Sequence, residues 1–158
     1  MSIGDICNRE VVFVNREVTV HAACKLMRHY HVGSLVVVDE VGAQGEGGAD
    51  SRRRVPVGIL TDRDIVVEVD AMDLDAKVIT AGDIMSPVLV TAPESLSLPE
   101  TIELMQLRGI RRIPIVDDEH RLVGIVTIGD LLGVLAHEFS GIAKVVSREQ
   151  MREVRSST

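Results

Sequence analysis

Aromatic side chains are nearly missing from this chain of 158 residues, which has no Trp, one Tyr and two Phe. A surface that stacks the bases of single-stranded nucleic acid needs more of them. A basic excess is missing too. Seventeen Lys and Arg stand against 24 Asp and Glu, a formal net charge of −7, whereas a phosphate backbone calls for a basic face. Long apolar runs are absent: the Val-rich stretches stop within about eight residues, far short of a membrane span. The opening Met1-Ser2-Ile3-Gly4-Asp5 has neither the basic nor the apolar region of a signal peptide. Only Cys7 and Cys24 occur, without metal-ligand spacing, which predicts two idle thiols in a reducing compartment. These absences predict a soluble, cytoplasmic protein that engages neither nucleic acid nor membrane.

Catalytic signatures are missing as well. There is no Walker loop, no Gly-x-Ser-x-Gly elbow, no His-Glu-x-x-His and no Cys-x-x-Cys. Asp62 and Asp64 form the one tempting carboxylate pair, and two residues apart at a helix start they diverge. His29 and His31 fall near a helix C-terminus, where the dipole accounts for them, and no acid or thiol sits at ligand spacing. The chain is therefore read as a non-enzyme with no required cofactor and no metal.

What is present is written twice. Gly58-Ile59-Leu60-Thr61-Asp62-Arg63-Asp64 returns as Gly124-Ile125-Val126-Thr127-Ile128-Gly129-Asp130. Each copy reads as a short apolar strand running into a Thr-x-x-Asp helix start. The Thr hydroxyl caps the first turn, and the acid sits where the helix dipole favours negative charge. One copy means only a helix start; two copies in matched positions of a duplicated unit ask for more. A shift of 78 residues places Ile6 on Ile84, Val12 on Val90, Met27 on Met105 and Val38 on Val116. Beyond Asp39 the offset drops to 66, so the first copy carries an insertion of twelve. It falls in the Gly-rich segment 40–54, read as a flexible hairpin loop followed by the solvated run Arg52-Arg53-Arg54.

Each unit has one order. An extended segment (Val11–Val14, then Val88–Thr91) precedes a helix with apolar Val20, Ala23, Cys24 and Met27, or Leu98, Ile102 and Met105. The second of these helices has a clear start in Ser97, Pro99 and Glu100. A buried strand follows, Leu35–Val38 or Ile113–Val116, ending at an Asp-marked turn. A third strand and a final helix complete a β-α-β-β-α unit. One unit is too small to bury its own sheet and helices. Two copies solve this as an α/β (α+β) fold, packed sheet to sheet about a pseudo-twofold axis with two equivalent clefts. The repeats are placed at 1–78 and 79–136, with a helical extension at 137–158 whose charged end from Ser147 is read as loose.

These features resemble the tandem CBS-domain pair, or Bateman module. The resemblance rests on the two Gly-aliphatic-aliphatic-Thr-x-x-Asp motifs, on His31–Asp39 with its partner Gly109–Asp117, and on Asp83-Ile84-Met85-Ser86-Pro87. It covers residues 3–136, and no further catalytic, channel or transporter segment is left over, so a stand-alone pair is expected. The resemblance implies a regulatory module that senses an adenosyl ligand between its repeats: AMP, ADP or ATP, with NAD and S-adenosylmethionine as alternatives. An ionised Asp suits two ribose hydroxyls, and a helix N-terminus suits a phosphate. Carried over by position, one cleft uses Thr61, Asp62, Arg63 and Asp64, with Ile84, Met85, Pro87, Val88 and Ile110 as its adenine wall and Ser34 beside them. The other uses Thr127 and Asp130, with Arg112 near phosphate, Val32 against the base and Asn8-Arg9-Glu10-Val11 as its floor; Arg111 and Pro114 are further ligand-binding candidates. On this assignment the first cleft has the better base pocket, the second the better phosphate anchor, and the Thr61/Asp64 cleft is preferred. Pairs of this family meet as flat dimers, and Met27, Met105, Ile65–Val67 and Leu131–Leu132 are expected to supply the face. A protein target is left open. A structural or interaction module with degenerate clefts is the competing expectation.

Overall fold

The computed structural model describes residues 1–42, 53–86 and 89–156, the last four of these by backbone. The first repeat runs from a short 3-10 turn at Ile3–Asp5 through β1 (Phe13–Asn15), α1 (Val20–Tyr30), β2 (Ser34–Val41), β3 (Arg53–Thr61) and α2 (Asp62–Ile65). A π-helical turn, Val66–Asp70, extends α2. The second repeat follows the same order with α3 (Ala81–Ile84), β4 (Ala92–Pro93), α4 (Leu98–Arg108), β5 (Arg112–Val116), β6 (Leu122–Thr127) and α5 (Ile128–Ser156).

Two three-stranded sheets result, β1-β2-β3 and β4-β5-β6, each with one parallel and one antiparallel pairing. The same bulge interrupts both hairpins, at Val37/Val38 and at Ile115/Val116. All four of Leu35–Val38 are buried, so neither face of β2 meets water. Alternate positions divide between two surroundings. Leu35 and Val37 join Val14, Ala23, Met27, Leu60 and Ala81 under α1. Their counterparts Ile113 and Ile115 join Ile3, Ala92, Met105, Val126 and Leu131 under α4 and α5. The other face of each sheet turns toward its twin, and β3 lies against β6.

The 78-residue offset survives in the core and exposes an exchange. Ile3 belongs to the cluster of the second repeat, and its counterpart Ala81 to that of the first. Ile3 N–H donates to Leu96 (2.7 Å) and Gly4 N–H to Glu94 (2.9 Å); Ala81 donates to Val18 (2.8 Å) and Gly82 to Arg16 (2.9 Å). Each repeat's leading segment therefore closes the core of the other.

Several local expectations change. The extended segment before α4 pairs only at Ala92–Pro93, and Leu89 and Val90 ahead of it line the cleft described below. Ile102 is exposed, and Thr101 takes the buried position equivalent to Ala23, its hydroxyl donating to Ser97 O at 2.8 Å. Strand β2 continues past Asp39 to Val41, since Asp39 holds Arg16 in a two-pronged ion pair instead of closing a turn. The inserted segment is correspondingly shorter at its ends: Glu40 pairs with Arg54 and Val41 with Arg53, and its middle lies outside the described residues. Arg54 stacks on the Phe13 ring at 4.5 Å and Arg53 reaches Glu119 at 3.8 Å. The segment from Ser147, expected to be loose, continues α5 as helix to Ser156, as its Arg, Glu, Gln and Met content favours. No helix among the described residues is long and apolar enough to cross a membrane.

Candidate functional site

Both Thr-x-x-Asp motifs fold as reciprocal capping boxes. Thr61 N–H donates to Asp64 Oδ2 at 2.8 Å, and Asp64 N–H returns a bond to Thr61 Oγ1 at 3.1 Å. In the second copy, Thr127 N–H and Oγ1 both reach Asp130 Oδ2 at 2.7 Å, and Asp130 N–H reaches Thr127 Oγ1 at 3.3 Å. In each case one carboxylate oxygen is fixed by the backbone, which orients the other. Both Asp side chains are half-buried at the mouth of a cleft.

The first cleft has a volume of about 220 Å³, and Thr61 and Asp64 face Ile59, Ser86, Leu89, Val90, Ile110, Arg111 and Arg112 across it. The second, of about 260 Å³, sets Thr127 and Asp130 against Ile125, Asn8, Val11, Val12, Val32, Gly33 and Ser34, with Glu10 and Arg112 added. The first nine of these positions are the repeat equivalents of the nine in the first cleft. Among the described residues, Arg112 alone lines both.

This placement moves one sequence assignment and widens another. Ser34 lies in the Thr127/Asp130 cleft, and Arg112, which lines that cleft as expected, also enters the Thr61/Asp64 cleft together with Arg111. The reason is the period of two along a strand. Leu35 and Ile113 point into their own cores, so Ser34 and Arg112 point the opposite way, toward the other repeat's motif. The supposed division into a base pocket and a phosphate anchor accordingly disappears: the Thr61/Asp64 cleft has both apolar lining and two arginines. Val32 and Ile110 occupy the clefts expected of them.

Other expected wall residues lie elsewhere. Ile84 and Met85 pack onto the first core cluster instead of lining the cleft, because the segment carrying them seals that core. A Cβ on Gly58 would stand 2.5 Å from Met85 Sδ, and one on Gly124 2.6 Å from Cys7 Sγ. What approaches the motif glycines is thus the other repeat's leading segment. Pro87 and Val88 lie outside the described residues. Pro114 is buried in β5 opposite Ile125. Asp62 and Arg63 are exposed and line neither cleft; Asp62 Oδ1 accepts from the Arg63 amide at 2.8 Å. Sequence reasoning missed Ile59, Ser86, Leu89 and Val90 in the first cleft and Val12, Gly33 and Ile125 in the second. The repeat offset carried the signal: once Val11 is on the floor of one cleft, Leu89 belongs on the floor of the other.

Two repeats of one unit, facing each other across paired clefts, define a duplicated two-domain module. The chain belongs to the CBS-domain family, whose domain matches residues 3–71 and again 81–137. It is 35% identical over 143 residues to the CBS domain-containing protein YhcV of Bacillus subtilis, covering 90% of this chain and 91% of that one. It is also 35% identical over 134 residues to protein MK0525 of Methanopyrus kandleri, where the match spans 85% of this chain and 62% of that relative. Among solved structures, the CBS domain pair of protein MJ0100 in complex with 5′-methylthioadenosine and S-adenosyl-L-methionine superposes with a TM-score of 0.69 at 26% identity. That alignment covers 85% of this chain and 99% of the other.

Proposed function

We propose that this chain is a non-catalytic regulatory module that binds an adenine nucleotide of the AMP, ADP or ATP type between its repeats, chiefly in the Thr61/Asp64 cleft. One observation carries the reading. Asp64 is anchored through Oδ2 to the Thr61 amide at 2.8 Å, while Arg111 and Arg112 line the same cleft. The remaining carboxylate oxygen suits a ribose diol, the two guanidiniums suit phosphate oxygens, and Ile59, Leu89, Val90 and Ile110 give an adenine ring an apolar bed. The MJ0100 pair, solved with two adenosyl compounds, supports the ligand class. The paired arginines favour a phosphorylated member over S-adenosylmethionine, which carries no phosphate.

Ligand binding regulates only if it favours one of two states, and self-association is the state we assign. Of the face expected from sequence, Met27, Met105 and Leu131 are committed to the protomer's own core, whereas Val66, Val67 and Leu132 are exposed. Those three, with the exposed Phe139, Ile142 and Val146 of α5, make up the dimer surface in this reading.

A thermal-shift screen against AMP, ADP, ATP, NAD and S-adenosylmethionine tests the proposal. Ligand at about a hundred times its Kd adds roughly 2.7 kcal/mol to the folded state, so AMP, ADP or ATP should raise Tm by several degrees. A flat response to all five would leave a scaffold whose Thr-Asp boxes only cap helices.

A further inference from the structure

We infer that Arg112 is one phosphate anchor shared by two clefts: the chain holds a single phosphorylated adenosyl ligand and leaves the Thr127/Asp130 cleft to a neutral or cationic one. The inference rests on the adenosyl reading above and adds to it how the two sites differ and how they are coupled.

The clefts match position by position, so the differences between them are informative. Where the first presents Arg111 and Arg112, the second presents Gly33 and Ser34. The only cation lining the second cleft, among the described residues, is Arg112 itself, reaching in from the start of β5, where it pairs with Thr127. Opposite it stand two carboxylates, Glu10 and Asp130. The charged lining of the first cleft is Asp64 against two arginines, a surplus of one positive charge. That of the second is Glu10 and Asp130 against one arginine, a surplus of one negative charge.

Arg112 is half-buried, and no hydrogen bond or ion pair holds its side chain to another described residue, so its guanidinium is available to either side. A guanidinium presents its donors as a planar fork that engages one phosphate at a time in two-pronged fashion. The first cleft offers that phosphate a second arginine, so Arg112 is drawn there. The second cleft is then left with Glu10 and Asp130 as its charged lining and repels a phosphate, while its apolar Val11, Val12, Val32 and Ile125 still accept an adenosyl group that carries none. A cationic group would find the two carboxylates favourable.

Isothermal titration of the intact protein with AMP and with adenosine tests this. AMP is expected to saturate at one per chain, and AMP-loaded protein should still take up one further equivalent of adenosine. Arg112→Ala should weaken AMP by about tenfold or more, the range of a charge-assisted hydrogen bond, and leave adenosine within about twofold. Ser34→Arg places a second cation at the equivalent position and should raise the AMP count to two. Two AMP molecules bound per wild-type chain with comparable affinity would overturn the sharing while leaving the nucleotide reading intact. So would unchanged AMP affinity in Arg112→Ala. Binding of neither compound to the wild type would defeat the nucleotide reading and this one with it. Should Ser34→Arg fail to fold, the wild-type counts and Arg112→Ala still decide.

Discussion

Asp64 has two tasks that pull on different oxygens. Oδ2 accepts from the Thr61 amide and closes the capping box; Oδ1 makes no hydrogen bond among the described residues and is left for ligand. Asp64→Ala removes both. It should cost about 1 kcal/mol of stability through the freed amide and weaken AMP by about tenfold or more, the range of a hydrogen bond to a charged group. Paired titrations of Asp64→Ala and Asp130→Ala check this; a larger loss in the second would move the preferred cleft. The cysteines show the opposite case, side chains that line neither cleft. Burial pushes the Cys7 and Cys24 thiols up from their ordinary value, which keeps both protonated and unreactive at neutral pH.

The starts of α2, α4 and α5 were legible because their signals are local, and the structure adds further caps of the same kind. Ser97 and Glu100 cap α4, Thr80 and Asp83 cap α3, and Ser2 and Asp5 cap the first 3-10 turn in the same reciprocal way. The Glu100 carboxylate is lowered by the Ser97 hydroxyl and amide, and the Asp83 and Asp5 carboxylates by the amides and hydroxyls of Thr80 and Ser2. A carboxylate whose pKa is lower folded than unfolded binds fewer protons in the native state. Its stabilisation is complete above the ordinary carboxylate range and is lost as pH falls through the lowered folded value. Urea midpoints should therefore hold between pH 7 and about pH 5 and fall below about pH 4. Glu100→Gln should flatten that fall. Helix ends show a second asymmetry: α4 closes on Gly109 at φ 63°, whereas α1 closes on His31 at φ 54°, a left-handed position that disfavours any residue with a Cβ.

Across the whole molecule, the exchanged leading segments make the two repeats depend on each other. Gly124 leaves room for Cys7 Sγ, with Asn8 O also 3.3 Å from where a Cβ would stand; Gly58 leaves room for Met85. Gly124→Ala should destabilise by about 1–3 kcal/mol, as overpacking does. Gly58→Ala should cost less, because a thioether can swing aside and a cysteine beside backbone cannot. Thermal melts of the two variants rank them, and equal melting temperatures would contradict the interlocked packing. The far end of α5 presents Phe139, Ile142 and Val146 at three- and four-residue spacing, all exposed. A row of exposed apolar residues of this kind marks a docking face. Sedimentation velocity should show a dimer that Phe139→Glu weakens; a monomer at every concentration in the wild type would remove self-association from the proposal.

The sequence by itself determined the duplication, the order of elements, the capping boxes and the core, since Met27 and Met105, or Leu35 and Ile113, fill equivalent buried positions. The capping boxes and the strand and helix periods are carried by spacing within some twenty residues, and the duplication by one repeat offset along the chain. Only the tertiary structure decided which leading segment closes which core and which arginine enters which cleft. Ile3 reads equally well as core of its own repeat or of the other, because burial fixes a residue's polarity and not its partner. Arg112 reads as a neighbour of Thr127 by register, and it is the facing of the two sheets that carries it into the cleft of Thr61 and Asp64.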